Sequence, residues 1–260
     1  MSQVCDVIDY RLVGDDMQGV IVTLDPGEQV VAEAGNFFYM EDGIDMQTSM
    51  AGAGGKGFFG GLLKATGRML TGESFFVTTF TNSGGRRADV AFAAPYPGKI
   101  IPLDLKTVGG TFLTQKDSFL CAARGTDVSV ALNRKIGSGL FGGEGFILQK
   151  LTGDGLAFLH AGGAITEHRL EAGQMLRVDT GCVVGFETSV EFDIQFVGGF
   201  KNALFGGEGL WFATLRGPGR VYLQTLPFSR LANRIAASAM TGGGREQSGG
   251  FLGQLMGDRD

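Results

Sequence analysis

Leu140-Phe141-Gly142-Gly143-Glu144-Gly145 and Leu204-Phe205-Gly206-Gly207-Glu208-Gly209 are one hexapeptide written twice. Gly72-Glu73 is a shorter third copy, and each copy precedes an apolar run. A motif that recurs at similar spacing dictates architecture before any single residue does. The likeness extends upstream. Leu170-Glu171-Ala172-Gly173-Gln174-Met175-Leu176-Arg177-Val178-Asp179-Thr180-Gly181 leads toward Glu208. Leu24-Asp25-Pro26-Gly27-Glu28-Gln29-Val30-Val31-Ala32-Glu33-Ala34-Gly35 leads toward Glu73 in the same way. In the middle copy Lys106-Thr107-Val108-Gly109-Gly110 takes that place, with Ser118 where the others have a second glycine. The first copy is longer by about eleven residues, which fall in Ala51 to Gly61.

The stretches between these landmarks read as strands. Val20-Ile21-Val22-Thr23, Phe75 to Phe80, Val128 to Leu132 and Phe192 to Val197 are rich in β-branched and aromatic residues. Several alternate apolar with polar, as half-buried strands do. Asp25-Pro26-Gly27, Asn82-Ser83-Gly84-Gly85, Gly153-Asp154-Gly155 and Gly217-Pro218-Gly219 punctuate them with turn residues. The 45 glycines in 260 residues therefore point to many tight turns rather than to a ligand cradle.

These features predict an all-β chain: a pseudo-threefold repeat of antiparallel units in a closed, prism-like or barrel-like body. Residues 5–230 form that single body, with repeats at about 5–86, 87–155 and 156–230. Gly219 to Thr225 is expected to close it by pairing back toward Val7 to Leu12, because closure hides sheet edges. Residues 231–260 form a tail. It opens in a short helix over Ser229 to Met240, continues through the Gly-rich linker Thr241 to Gly250, and ends in the apolar cluster Phe251 to Met256.

Bulk properties exclude several functions. A net charge of −5 argues against nucleic acid as a partner, since phosphate binding needs a basic surface. Cys5, Cys121 and Cys182 form no close pair, which fits a reducing compartment. No run is long enough to span a membrane as a helix, and the start lacks the pattern of a signal peptide. The expected location is cytoplasmic.

Catalytic and metal motifs fare poorly. His160 and His168 are read as surface histidines flanking a hairpin, not as metal ligands. Cys121 and Cys182 lie in apolar runs and are read as buried thiols. Gly52-Ala53-Gly54-Gly55-Lys56-Gly57 has dinucleotide-motif spacing but antiparallel surroundings and no Ser or Thr after the lysine. Glu73, Glu144 and Glu208 are read as turn-stabilising carboxylates; a shared cation ring is the alternative. No catalytic residue, metal or cofactor is expected.

Interaction is the stronger reading. Gly57 to Leu70 sets Phe58, Phe59, Leu62, Leu63, Met69 and Leu70 at helix-like spacing, with Lys64 and Arg68 on the other side: a segment that either caps one end of the β core with its apolar face buried or lies on a membrane or another protein. Phe58, Phe59, Leu62 and Leu63, with Phe141, Phe205, Phe251 and Leu252, are the candidate contact residues.

The last copy carries a family likeness. Leu204 to Leu210, followed by Thr214 to Thr225, resembles the C-terminal signature of the AIM24 family. Gly173 to Gly181 and Leu70 to Phe76 resemble it too, and the likeness covers about residues 5–228. The resemblance implies a TRAP-like β architecture, named for a tryptophan-regulated RNA-binding attenuator. The family is widespread in bacteria, and a fungal mitochondrial member is tied to inner-membrane organisation. It brings no established catalytic residues. The expectation is a non-enzymatic scaffold or interaction protein that self-associates or binds a protein partner, with peripheral membrane contact through the insert and tail. A small-ligand-binding module with a pocket at a repeat seam is the alternative.

Overall fold

The computed structural model describes residues 4–50, 76–134, 146–197 and 210–242. Among them nineteen strands form four antiparallel sheets, followed by one helix. β1 (Asp9–Val13) stands before three groups of six. The first group is β2 (Gly19–Leu24), β3 (Gln29–Glu33), β4 (Phe37–Met40), β5 (Ile44–Met50), β6 (Phe76–Asn82) and β7 (Ala88–Ala93). The second is β8 (Gly98–Asp104), β9 (Thr111–Gln115), β10 (Phe119–Ala123), β11 (Asp127–Arg134), β12 (Phe146–Thr152) and β13 (Leu156–Gly162). The third is β14 (Ile165–Leu170), β15 (Met175–Asp179), β16 (Val183–Glu187), β17 (Glu191–Val197), β18 (Leu210–Arg216) and β19 (Gly219–Gln224). Helix α1 (Phe228–Gly242) follows.

One pairing rule serves all three groups. The sixth strand pairs with the first and the third, and the fifth pairs with the second and the fourth. Each third strand follows a 3-10 turn: Ala34–Asn36, Lys116–Ser118 or Thr180–Cys182. Each also slips register against its sixth strand at the same place, between Phe37 and Tyr39, Phe119 and Cys121, or Val183 and Gly185. The glycines that mark the second strand's approach have φ values only glycine adopts readily: Gly27 at +90°, Gly110 at +79° and Gly173 at +79°.

Groups join second strand to third: β3 to β10, and β9 to β16. This builds two six-stranded sheets, β5-β6-β3-β10-β13-β8 and β11-β12-β9-β16-β19-β14. The ends of the chain are left with smaller ones, β1-β2-β7-β4 and β15-β18-β17. Three apolar cores lie between successive sheets. The first gathers Val20, Val90, Phe92, Phe80, Leu120 and Phe158; the second Leu103, Phe112, Leu151, Leu159, Val184 and Tyr222. The third gathers Phe146, Phe186, Ile194, Ala213, Leu215 and Val221. β10 and β13 face a core on both sides, so β10 is apolar throughout and β13 is broken only by His160.

Two expectations need correction. The body is not closed among the described residues: each of the four sheets ends in edge strands, and β4 and β15, which a closed body would join, do not pair. Gly219 to Gln224 does not pair with the N-terminal strand either. It is β19, and both its edges are already taken, by β14 and β16, while β1 pairs with β2. The N-terminal segment instead laces the first two groups together. Cys5 N–H donates to Asp154 Oδ1 at 2.7 Å, Asp6 N–H to the Arg124 carbonyl at 2.9 Å, and Gln29 N–H to Asp6 Oδ2 at 2.9 Å. The donated N–H holds the Asp154 carboxyl below its ordinary range.

Candidate functional site

Two features stand out, and both follow from the pairing rule. Each of the four sheets ends in edge strands, and the first feature is two of these edges, β4 and β15, which hold the third-strand and second-strand places that pair with each other elsewhere in the chain. β4 carries Phe37, Phe38 and Met40, all exposed. β15 carries exposed Met175 and Arg177 beside half-buried Leu176 and Val178. A free edge presents unpaired N–H and C=O groups, and β4 has no charge of its own to blunt it.

The second is a cavity of about 430 Å³ where the three 3-10 turns converge beneath the start of α1. Glu33, Gly35 and Asn36 come from the first turn region, Gln115 and Asp117 from the second, and Gly181 from the third. Tyr96, Pro227 and Phe228 supply apolar wall. Its polar groups are mostly engaged. Asn36 Nδ2 donates to the Phe119 carbonyl at 3.2 Å, and Gln115 Nε2 to Asp117 Oδ2 at 3.1 Å. Gln224 bridges the wall, accepting from Gly162 N–H at 2.7 Å and donating to the Gly181 carbonyl at 2.9 Å. Burial, with the Asp117 and Glu33 charges adding to it, pushes the Tyr96 hydroxyl well above its usual range, so Tyr96 stays neutral. Its ring meets His160 edge-on with centroids 4.6 Å apart, and Phe228 at 5.3 Å.

His160 corrects a further expectation. It is not a surface residue: it is 1% exposed on β13, and neither ring nitrogen has a hydrogen-bond partner. Burial lowers its pKa to about 4, so the ring is neutral. His168, on β14, is half-buried and bonds Thr166 Oγ1 at 3.2 Å. Cys121 is fully buried and its thiol is pushed well up; Cys182 is half-buried and raised by the same cause. Among the described residues no three His, Cys, Asp or Glu side chains gather at metal-binding distance. The cavity offers shape, an aromatic wall, a few neutral hydrogen-bonding groups and the Glu33 and Asp117 carboxylates.

The contact residues expected from the sequence lie elsewhere. Phe58, Phe59, Leu62, Leu63, Phe141, Phe205, Phe251 and Leu252 fall outside the described residues, as do Glu73, Glu144 and Glu208. In chain order the three Gly-Glu motifs stand between β5 and β6, β11 and β12, and β17 and β18. Sequence reasoning missed β4 and the cavity. The signal for β4 was present in Phe37-Phe38-Tyr39-Met40, four large apolar side chains between a turn and a charged corner.

Residues 10–226 match the family model described as mitochondrial biogenesis AIM24. The chain belongs to the AIM24 family. An uncharacterised protein of Streptococcus pyogenes serotype M6 is 31% identical over 219 residues, covering 83% of this chain and 84% of that one. A crystal structure of a Streptococcus pyogenes protein superposes with a TM-score of 0.70 at 24% identity, covering 89% of this chain and 99% of the other. The latter likeness is one of fold. Among the described residues no helix is long and apolar enough to cross a membrane.

Proposed function

We propose that this AIM24-family chain is a non-enzymatic scaffold that works by making protein contacts through its open sheet edges. One observation carries the reading: the stack of sheets ends in two part-sheets, and β4 presents Phe37, Phe38 and Met40 to solvent along an unpaired edge. Exposed apolar side chains on a free edge suit a partner strand. The architecture we infer is TRAP-like, three copies of a six-strand unit at about 19–93, 98–162 and 165–224, supported by the common pairing rule. The cuts differ from those the Gly-Glu landmarks suggest, because those landmarks fall inside units.

The charge of −5 supports a protein rather than a nucleic acid as partner. Peripheral membrane contact through residues 51–70 and the tail, and a cytoplasmic setting, are parts of the same reading that rest on sequence. Light scattering of the purified chain on size exclusion, with and without anionic vesicles, tests it. Self-association or vesicle binding is expected; a monomer that ignores lipid overturns it.

The cavity favours one second reading, a small neutral ligand held against Tyr96 and Phe228. A thermal-shift screen of uncharged aromatic and amide-bearing compounds tests that. Stabilisation lost in Tyr96→Ala supports it, and no stabilised compound counts against it.

A further inference from the structure

We propose that copies of this chain join head to tail, β4 of one pairing antiparallel with β15 of the next, in the register that already joins the groups within the chain. The proposal rests on the scaffold reading and names its partner as a second copy.

The in-chain junctions supply the template. A third strand meets a second strand twice: Cys121, Ala122 and Ala123 oppose Ala32, Val31 and Val30, and Gly185, Phe186 and Glu187 oppose Thr114, Leu113 and Phe112. The shared slip on the sixth strand aligns the third strands residue by residue. Tyr39 corresponds to Cys121 and Gly185, and Phe38 to Leu120 and Val184. The third group's second strand and the first group's third strand are the two members of this junction left without each other. Transferring the register sets Tyr39 opposite Val178, Met40 opposite Arg177 and Glu41 opposite Leu176.

Burial differs where this junction is missing. Leu120 and Val184 are 0% exposed, whereas Phe38 is 64% exposed. On the other edge Val30 and Phe112 are fully buried, and their counterpart Leu176 is half-buried. The cores agree. The first receives Leu120, Cys121 and Phe158 from the next group, and the second receives Val184 and Tyr222. The third receives nothing of the kind, and Leu176, Val178 and Trp211 are left partly covered at its rim. A neighbouring copy's Phe38 is the side chain that position lacks.

A second copy fits better than an unrelated strand, because both halves of the junction sit on every chain and match a geometry the fold uses twice. Joined, β17-β18-β15 and β4-β7-β2-β1 make one continuous sheet like the two inside the chain. The contact is heterologous, so it closes into a ring when the rotation per chain allows.

The experiment is light scattering on size exclusion, using the full 27.4 kDa chain. Wild type is expected at a discrete multiple of that mass. Phe38→Asp and Leu176→Asp should each run as monomers with an unchanged circular dichroism spectrum. Mixing the two variants should give a dimer, since each keeps one intact edge. A Tyr39→Cys/Val178→Cys chain should form a disulfide between chains, visible as a ladder on a non-reducing gel.

A wild type that is monomeric at all concentrations overturns the proposal, and if it also ignores vesicles the scaffold reading falls with it. Assembly that Phe38→Asp leaves intact overturns the proposal but spares the scaffold reading. A disulfide confined to monomers overturns it in favour of closure inside one chain.

Discussion

β10 and β4 hold the same place in successive groups, yet one is buried along its whole length and the other is mostly exposed. Their sequences, Phe-Leu-Cys-Ala-Ala and Phe-Phe-Tyr-Met, are both apolar. Composition therefore does not distinguish them; the neighbour does. β10 lies between β3 and β13, whereas β4 has β7 on one side and, among the described residues, no strand on the other. An apolar strand with a free edge is a hazard that proteins usually blunt with charge or proline. That β4 is not blunted is the main reason to read the ends of this molecule as contact surfaces.

The comparison breaks or holds most sharply at Leu120 and Phe38. Leu120→Ala should cost about 2–5 kcal/mol, the range for deleting a buried leucine side chain. Phe38→Ala should cost about 0.5 kcal/mol or less in dilute protein, as an exposed position does. Denaturant midpoints at low and high protein concentration measure both. Equal large losses at low concentration would mean that β4 is already covered within one chain.

His160 and Gln224 sharpen it next, because they too are counterparts, each one residue past the point where the sixth strand meets the third strand. Both are buried polar groups. Gln224 has its two bonds, whereas His160 has none. With its folded pKa lowered to about 4, His160 is protonated first in the unfolded chain, whose histidine titrates near 6.5. Its contribution is thus complete above about pH 6.5, falls as pH drops and levels off near pH 4. The loss is about 3 kcal/mol. His160→Phe keeps the ring beside Tyr96 and removes the proton site, so wild type minus variant isolates this slope from that of the carboxylates.

Gln224→Leu should cost about 1–3 kcal/mol at all pH values, since it strands the Gly162 N–H and the Gly181 carbonyl. A thermal melt checks it. A flat result would show that water satisfies both groups, and would mark the cavity wall as wet.

What was legible in the sequence follows the range of the forces involved. Local signals worked. Val20 to Thr23, Val128 to Leu132 and Phe192 to Val197 all lie within strands. All four turn clusters lie at the junctions of consecutive strands of a group, two of them sharing one residue with a strand, Asn82 of β6 and Gly219 of β19. Strand pairing did not work, because it joins residues far apart in the chain. Nothing local in Gly219 to Gln224 says that β14 and β16 occupy its two edges. The histidines failed for a related reason. Polar residues beside a glycine turn read as surface, but β13 is covered on both faces, so His160 goes inside with the rest of its strand. The Phe-Gly-Gly motifs lie outside the described residues, and the candidate surfaces are edges that a period-two pattern does not reveal.

The smallest effect concerns how α1 meets the open end. Arg230 Nη2 donates to Asp179 Oδ2 at 2.7 Å, and Asp179 is the last residue of β15. This bond holds the guanidinium charged, with its pKa raised mainly by Asp179. The pair is half-exposed, so Arg230→Ala should cost about 0.5–1 kcal/mol at most and less at high salt. The loss should also be local. Phe228 still meets Tyr96 at 5.3 Å, so the first turn of α1 stays docked while the rest frays. Hydrogen exchange resolves this: faster exchange in α1 with unchanged protection in β10 and β13 is expected. If protection across β15 falls as well, the ion pair is steadying the free edge itself, and α1 then belongs with the end surfaces rather than with the body it follows.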